Sequence, residues 1–143
     1  MKSYDQSPIF TSANKNYDFG MGEVSDLICI VDDDTSVRRA LGRMVRSFGF
    51  DVQLLASARD CLDGPFVDQA SCLIVDIMMP NMDGFELHAL LAAAGRDVPT
   101  IFISGLTDQK TIIRAQAVGG VALLNKPCDA NSLHDAIVKA IAM

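Results

Sequence analysis

Residues 72–84 read CLIVDIMMPNMDG, and this stretch decides the fold of the chain. Its first four residues are apolar, and an apolar run this short is typical of a buried strand of a parallel sheet. The strand ends at Asp76, and a loop that contains Pro80 and Gly84 follows it. In open α/β sheets, ligands bind beyond the carboxyl ends of the strands, so Asp76 is predicted to lie at a functional edge.

Three further apolar runs also lead into polar residues. Residues 27–31 (LICIV) precede the acidic triplet 32–34, residues 101–103 (IFI) precede Ser104, and residues 121–124 (VALL) lead to Lys126. Parallel strands end at the same edge of a sheet, so the four runs present acid, acid, hydroxyl and ammonium there. This combination suits a divalent cation and a phosphoryl group.

From Asp26 onward the sequence alternates strand and helix five times. A strand near residues 51–55 completes the set, and helices are predicted near 34–48, 57–64, 83–95, 108–118 and from 129 onward. Asp34 and Asp83 are predicted helix N-caps, and Gly49 is predicted to stop the first helix. The alternation predicts an α/β fold: a doubly wound, flavodoxin-like (βα)5 parallel sheet of strand order 2-1-3-4-5.

The chain divides into two regions. Residues 1–24 are polar and lack sustained periodicity, so they are predicted to form a flexible N-terminal extension, and residues 25–143 form the domain. An alternative is that the extension docks on the domain or on a partner, since it carries four aromatic residues: Tyr4, Phe10, Tyr17 and Phe19.

Composition limits the function classes. The chain has 143 residues, and its formal net charge is -6, which gives no general attraction to nucleic acid. No apolar run is long enough to cross a membrane, and the start lacks a secretory segment, so we expect a cytoplasmic protein. The basic cluster is interpreted as the solvated face of the first helix: Arg38, Arg39, Arg43 and Arg46. The cysteines lack metal-binding spacing and are expected to be reduced: Cys29, Cys61, Cys72 and Cys128.

The acidic residues at the sheet edge need a counter-charge. Clustered carboxylates repel one another, and Mg²⁺ with water ligands would relieve that repulsion at Asp32, Asp33 and Asp76. With Lys126 added, the three negative charges are balanced. A phosphoryl group would add about two negative charges at neutral pH. Ser104 offers a hydroxyl that could turn towards that group, which is a basis for a two-state switch.

Residues 26–142 resemble the receiver domain of the bacterial response-regulator family. The resemblance rests on four motifs in order, each at a strand end: residues 31–34 (VDDD), 76–84 (DIMMPNMDG), 104–105 (SG) and 126–127 (KP). Each motif alone is weak evidence. Together they are a specific signal.

The resemblance implies that Asp76 accepts a phosphoryl group from a histidine kinase or a histidine phosphotransfer protein. It implies that Mg²⁺ is held by Asp33, Asp76 and the backbone carbonyl of Met78, with Asp32 assisting through water. Lys126 would pair with Asp76 and then with the phosphate, across a cis Lys126–Pro127 bond, and Ser104 would close on the phosphate.

The resemblance also implies a class of function. The chain would be a switch and not an enzyme, controlling an output protein, and a phosphorylation-dependent homodimer stays open. No contact with nucleic acid or membrane is expected, because the chain is acidic, shows no helix-turn-helix and has no apolar run of membrane length. Kinase contact is expected along the first helix, near residues 38–46. His88 and His134 lack metal-binding spacing, which favours surface or packing roles.

One position departs from the family pattern. The family usually places an aromatic switch residue three positions before the lysine, where this chain has Leu123. Output would then run through the loop after Ser104 and the helix that follows it. The departure also keeps open a phosphate shuttle or sink in a multistep phosphorelay. A haloacid-dehalogenase-like phosphatase is a further alternative, prompted by residues 32–35 (DDDT).

Overall fold

A computed structural model describes residues 25–143, so the predicted N-terminal extension lies outside the described part of the chain. Strands and helices alternate as the sequence predicts. The elements are β1 (Leu27–Val31), α1 (Thr35–Ser47), β2 (Asp51–Leu55), α2 (Ala58–Asp63), a 3-10 helix (Phe66–Gln69), β3 (Cys72–Asp76), α3 (Gly84–Ala93), β4 (Thr100–Ser104), α4 (Gln109–Ala117), β5 (Ala122–Asn125) and α5 (Ala130–Ile141).

The five strands form one parallel sheet in the order β2-β1-β3-β4-β5, which confirms the predicted topology. The register brings the strand ends level with one another. Val31 of β1 lies opposite Val75 of β3, and Asp76 lies opposite Ile103 of β4. The polar residues that end these strands therefore gather at one edge of the sheet.

Helices cover both faces of the sheet, as predicted, and each face has its own apolar core. On one face, Leu41 and Val45 of α1 pack with Leu133 and Ile137 of α5. The other face is covered by α2, α3 and α4, and its largest fully buried side chain is Phe102 of β4. Removal of this apolar surface from water is the main force that holds the helices on the sheet.

The predicted helix ends are confirmed. The Asp34 carboxylate accepts a hydrogen bond from the backbone N–H of Val37 at 3.0 Å. Asp83 and Glu86 form a reciprocal capping box at the start of α3. Gly49 follows α1 with a φ of +99°, a conformation that glycine adopts without strain.

Two details differ from prediction. The 3-10 helix after Gly64 was not predicted, because the contacts that hold this segment come from far away in the chain. The Arg96 guanidinium donates to the carbonyls of Leu62 and Gly64 and pairs with Asp68. In addition, β4 begins at Thr100, one residue before its apolar run, and β5 begins at Ala122, one residue after the start of its run.

The cysteines behave as apolar side chains. Cys29, Cys61 and Cys72 are buried, and burial raises the pKa of Cys29 and of Cys72 to about 12 each. A thiol with so high a pKa stays protonated and unreactive at neutral pH. Among residues 25–143, no helix is both long enough and apolar enough to cross a bilayer.

Candidate functional site

Three carboxylates meet at the carboxyl edge of the sheet. Asp76 ends β3 and Asp32 follows β1, and both side chains are buried, whereas Asp33 is exposed. Each residue offers one carboxylate oxygen, and these three oxygens lie within 4.8 Å of one another. The structure thus brings together the acidic residues that the sequence singles out, and we call this group the acidic pocket.

Lys126 connects two of these carboxylates. Its Nζ atom donates a hydrogen bond to Asp76 Oδ2 at 2.9 Å and lies 3.0 Å from Asp32 Oδ2. The loop that carries it is tied to the neighbouring strand, because the Lys126 N–H donates to the Ser104 carbonyl at 2.9 Å. The Lys126–Pro127 peptide bond is cis, as predicted.

The charges in this pocket depend on one another. Burial raises the pKa of the Asp76 carboxyl, and the negative charge of Asp32 adds to this, while the hydrogen bond from Lys126 opposes it. For Lys126, burial acts to lower the pKa. The hydrogen bond to Asp76 and the negative charges of Asp76 and Asp32 outweigh burial, so that the pKa of Lys126 lies above its usual value. The ammonium therefore stays charged and is the only protein cation paired with Asp32 or Asp76 in the described part of the chain.

The donor atoms of the acidic pocket fit Mg²⁺. Asp32 Oδ1 accepts a hydrogen bond from the Asp34 N–H at 2.9 Å. Asp32 Oδ2 is fully buried, and its approach to Lys126 lacks hydrogen-bond geometry, so this oxygen has no hydrogen-bond partner within residues 25–143. Buried polar atoms are rarely left without a partner. A hard cation held by neighbouring carboxylates would satisfy this oxygen through one of its water ligands.

The start of α3 packs tightly against the end of β3, the strand that carries Asp76. Gly84, the first residue of α3, donates its N–H to the Ile77 carbonyl at 2.9 Å. A Cβ atom at position 84 would lie 2.7 Å from the Asp76 carbonyl oxygen and 2.9 Å from a methyl group of Val75. Glycine is needed here because α3 begins directly against the strand that carries Asp76.

Met78 contacts the pocket through its backbone, while its side chain is exposed. Its N–H donates to Asp76 Oδ1 at 3.1 Å, so each oxygen of this carboxylate accepts one hydrogen bond. The role of the Met78 carbonyl as a metal ligand stays a prediction.

The Ser104 hydroxyl is engaged in a local turn. It donates to the Leu106 carbonyl at 2.8 Å and accepts from the Leu106 N–H at 3.0 Å. Its predicted contact with a phosphoryl group remains a prediction and would require the hydroxyl to leave the Leu106 carbonyl. The side chain thus holds the start of the β4–α4 loop in the present arrangement.

Arg38 corrects the interpretation of the basic cluster. This side chain is half-buried, and its Nη1 atom donates to the Asp32 carbonyl at 2.7 Å, whereas the other three arginines of the cluster are exposed. The α1 helix begins at Thr35, and helical side chains point back towards the helix start, which brings Arg38 over the end of β1. The sequence did contain a signal for this contact, namely an arginine in the first turn of the helix that follows the acidic triplet.

Leu123 lies beside the aromatic residue of the neighbouring strand. It is half-buried and pairs in register with Phe102 of β4. Next to it, a groove of about 380 Å³ runs between α4 and β5. Its lining includes Thr107, Ile112, Gly120 and Asn125.

Comparison with known proteins is consistent with this geometry. A family model described as the response regulator receiver domain matches residues 28–138. Nodulation protein W of Bradyrhizobium diazoefficiens is 37% identical over 114 residues, which cover 80% of this chain and 50% of that protein. Response regulator protein TodT of Pseudomonas putida is 35% identical over 123 residues, which cover 86% of this chain and 54% of that protein. The chain spans about half the length of these relatives.

Solved structures agree in fold. The response regulator StyR has a TM-score of 0.76 and 34% identity, with coverage of 83% of this chain and 60% of that chain. FixJ-N has a TM-score of 0.75 and 30% identity, with coverage of 83% and 95%. The chemotaxis protein CheY4 of Vibrio cholerae shares the fold at a TM-score of 0.75 and 23% identity, with coverage of 82% and 99%. These matches leave no support for the haloacid-dehalogenase alternative.

Proposed function

The chain belongs to the response regulator receiver family, and we propose that it acts as a phosphoacceptor switch in which Asp76 carries the phosphoryl group. The observation that carries this proposal is the position of the Lys126 ammonium, 2.9 Å from Asp76 and 3.0 Å from Asp32. A buried carboxylate beside a fixed cation, with further carboxylates suited to a metal ion, is an arrangement that neutralises an incoming phosphoryl group.

The proposed transfer is an in-line displacement. A carboxylate oxygen of Asp76 bonds to the phosphorus of a phosphohistidine, the P–N bond breaks, and the imidazole leaves with the electron pair. The product is an acyl phosphate on Asp76. The enzyme-like contribution of this chain is positioning and charge neutralisation, which dominate catalysis of phosphoryl transfer.

The residues of the pocket divide the remaining tasks in this proposal. Asp33, Asp76 and the Met78 carbonyl would hold Mg²⁺, with Asp32 assisting through water, and the ion when bound would offset the charge of the phosphoryl oxygens. Lys126 would shift part of its contact from the Asp76 carboxylate to the phosphoryl group.

The switch would begin at Ser104. A phosphoryl group brings about two negative charges at neutral pH and strong acceptor oxygens. The Ser104 hydroxyl would leave the Leu106 carbonyl and donate to one of these oxygens, because a charged acceptor makes the stronger hydrogen bond. The turn that it now holds would be released, and the β4–α4 loop would move.

The proposed partners are a histidine kinase or histidine phosphotransfer protein and an output protein, with a phosphorylation-dependent homodimer as a further form. The phosphodonor contact is proposed along α1. An apolar cavity of about 370 Å³ lies there beside Lys126, with a lining that includes Val37, Met44 and Pro127. Direct contact with nucleic acid is not proposed for the described residues.

A second candidate is a phosphate shuttle or sink in a multistep relay. It is favoured by Leu123, because a leucine cannot act as the aromatic switch residue of the family. The two candidates differ in where the phosphoryl group goes. Rapid return of label from Asp76 to a histidine phosphotransfer protein, with no change in α4, would favour the shuttle.

The acceptor is tested with acetyl phosphate and Mg²⁺ as the phosphodonor system. We expect the wild type to gain one acid-labile phosphoryl group, detected by mass spectrometry of the intact protein, and Asp76→Asn to gain none. Asp135→Asn is the matched control, because this aspartate is exposed on α5, and it should be modified like the wild type. Equal modification of Asp76→Asn would overturn the assignment.

The metal site is tested by stability without any phosphodonor. At tenfold excess over its dissociation constant, Mg²⁺ should stabilise the wild type by about 1.4 kcal/mol in urea unfolding. Asp33→Asn should lose most of this gain, since it removes one proposed ligand from the exposed side of the acidic pocket. A gain of equal size in Asp33→Asn at the same Mg²⁺ concentration would contradict the proposed ligand set.

A further inference from the structure

His88 connects three elements on the side of the sheet opposite α1 and α5. It lies on α3 and is half-buried, and both of its ring nitrogens have partners. Nε2 lies 2.9 Å from the carbonyl oxygen of Val118, and Nδ1 lies 3.2 Å from Thr100 Oγ1. A carbonyl only accepts, so Nε2 must carry a proton and donate to Val118.

This donation is retained in either ionisation state of the ring. The Thr100 hydroxyl lies 2.9 Å from the Val98 carbonyl. If it donates there, Nδ1 is protonated and donates to Thr100; if it turns to Nδ1, the ring is neutral. In both arrangements the Nε2–H donates to the Val118 carbonyl, so this contact does not depend on which way the Thr100 hydroxyl turns.

The residue that His88 holds is the C-cap of α4. Directly after Val118 the chain turns at Gly119, whose φ is +83°. The next residue, Gly120, packs on the Phe102 ring so closely that a Cβ atom there would lie 2.8 Å from a ring carbon. The His88 ring contacts Phe102 edge-on, with 5.7 Å between centroids. The carboxyl end of α4 is thus held from two sides, and we call this group the α4 anchor: His88, Phe102, Val118 and Gly120.

The amino end of α4 has fewer buried contacts. It follows the turn that Ser104 forms with Leu106, and both Leu106 and Ile113 are more than half exposed. Ala115, near the anchored end, is the one buried residue of α4. Between the ends, the Arg114 guanidinium lies 4.5 Å from the centroid of the Phe85 ring.

We propose that His88 is a positioning residue that makes the carboxyl end of α4 a pivot, so that movement of the loop after Ser104 swings only the amino end of the helix. The proposal rests on the proposed function, since the phosphoryl group supplies the movement. It also offers a reason why an aromatic residue is not needed at Leu123. The aromatic ring on this face of the sheet belongs to Phe102 of β4, the register partner of Leu123, and this ring contacts Gly120 at the carboxyl end of α4.

Hydrogen exchange of backbone amides, followed by mass spectrometry, tests the pivot. His88→Phe keeps a planar ring and removes both nitrogens, whereas His88→Gln keeps a side-chain N–H that can donate to Val118. Without ligand, loss of one hydrogen bond should speed exchange of residues 115–120 about fivefold in His88→Phe, and His88→Gln should stay close to the wild type. Equal exchange in His88→Phe and the wild type would overturn the anchor.

Beryllofluoride with Mg²⁺, a stable mimic of the phosphoryl group, tests the swing in the wild type alone. We expect exchange to change over residues 105–113 and to stay constant over residues 115–120; equal changes over both ranges would overturn the pivot. In His88→Phe the change should spread into residues 115–120. If the wild type binds no beryllofluoride, the proposed function fails, and the comparison without ligand still decides whether His88 anchors α4.

Discussion

The acidic pocket and the α4 anchor lie on the same sheet but are built differently. The carboxylates of the pocket sit at the ends of apolar runs, next to the strands that position them, and charge holds their side chains together. The anchor joins His88 to Thr100 and Val118, which are 12 and 30 positions away, through hydrogen bonds and ring contacts. The pocket can be read from short motifs, whereas the anchor is a property of the packing of this chain.

The two regions should also differ in how much one side chain matters. In the pocket, Asp32 and Asp76 are buried beside a single ammonium, and removal of that cation leaves two buried carboxylates without a counter-charge. Around the anchor, α4 and β5 are half exposed, so neighbouring side chains and water can adjust. Substitutions in the two regions test this contrast.

The largest effect is expected for Lys126→Met. Loss of one partner from a buried ion pair leaves the other charge unpaired, and we expect the free energy of unfolding at pH 8 to fall by about 3 kcal/mol. Urea unfolding followed by circular dichroism would measure it. Lys139→Met, at an exposed site on α5, is the control and should change stability little.

The same variant has a predicted pH dependence. Burial already raises the pKa of Asp76, and removal of Lys126 should raise it further. When the pKa of a carboxyl is higher in the folded than in the unfolded protein, the free energy of unfolding falls as pH rises from the unfolded pKa, about 3.9, through the folded pKa. In the wild type, the contribution of the Lys126 ammonium is fully present below its unfolded pKa of about 10.4 and is lost only as pH rises through its raised folded pKa. The gap between wild type and Lys126→Met should therefore be wider at pH 8 than at pH 5, and a narrower gap at pH 8 would contradict this.

A smaller effect is expected for Gly84→Ala. The added methyl group would meet backbone atoms of Asp76 and Ile77, which cannot turn away, and overpacking of this kind destabilises by about 2 kcal/mol. Gly105→Ala is a matched control on the same side of the sheet, because a Cβ atom there meets nothing within 4 Å. Similar midpoints of urea unfolding for the two variants would show that the loop behind Asp76 is more adaptable than its contacts indicate.

The smallest effect is expected for Gly120→Ala. Here the methyl group meets the edge of the Phe102 ring. The ring is buried, but it is a side chain that can turn slightly, whereas the obstacle at Gly84 is backbone, so we expect a smaller loss of about 1 kcal/mol. The variant should also alter exchange near the carboxyl end of α4 while phosphoryl uptake at Asp76 stays unchanged. A loss larger than that of Gly84→Ala would reverse the order of rigidity proposed for the two regions.

Much of the fold was predictable because local patterns carried it. Short apolar runs separated by amphipathic helices indicated five parallel strands, and Asp34, Gly49 and Asp83 marked helix ends through their own backbone preferences. The acidic pocket was predictable for the same reason. The last residues of parallel strands lie at the same edge of the sheet. The register of the strands then leaves little choice in which of these residues are neighbours.

The sequence by itself therefore determined the sheet, the carboxylates at its edge and the approach of Lys126 to them. Only the tertiary structure decided that Arg38 holds the Asp32 carbonyl, that Ser104 closes a turn with Leu106, and that His88 holds the end of α4. These contacts depend on where a side chain points once distant segments have packed. Strand ends are placed by a regular backbone pattern, whereas the partners of a single hydrogen-bonding side chain are set by packing between elements that no local pattern describes.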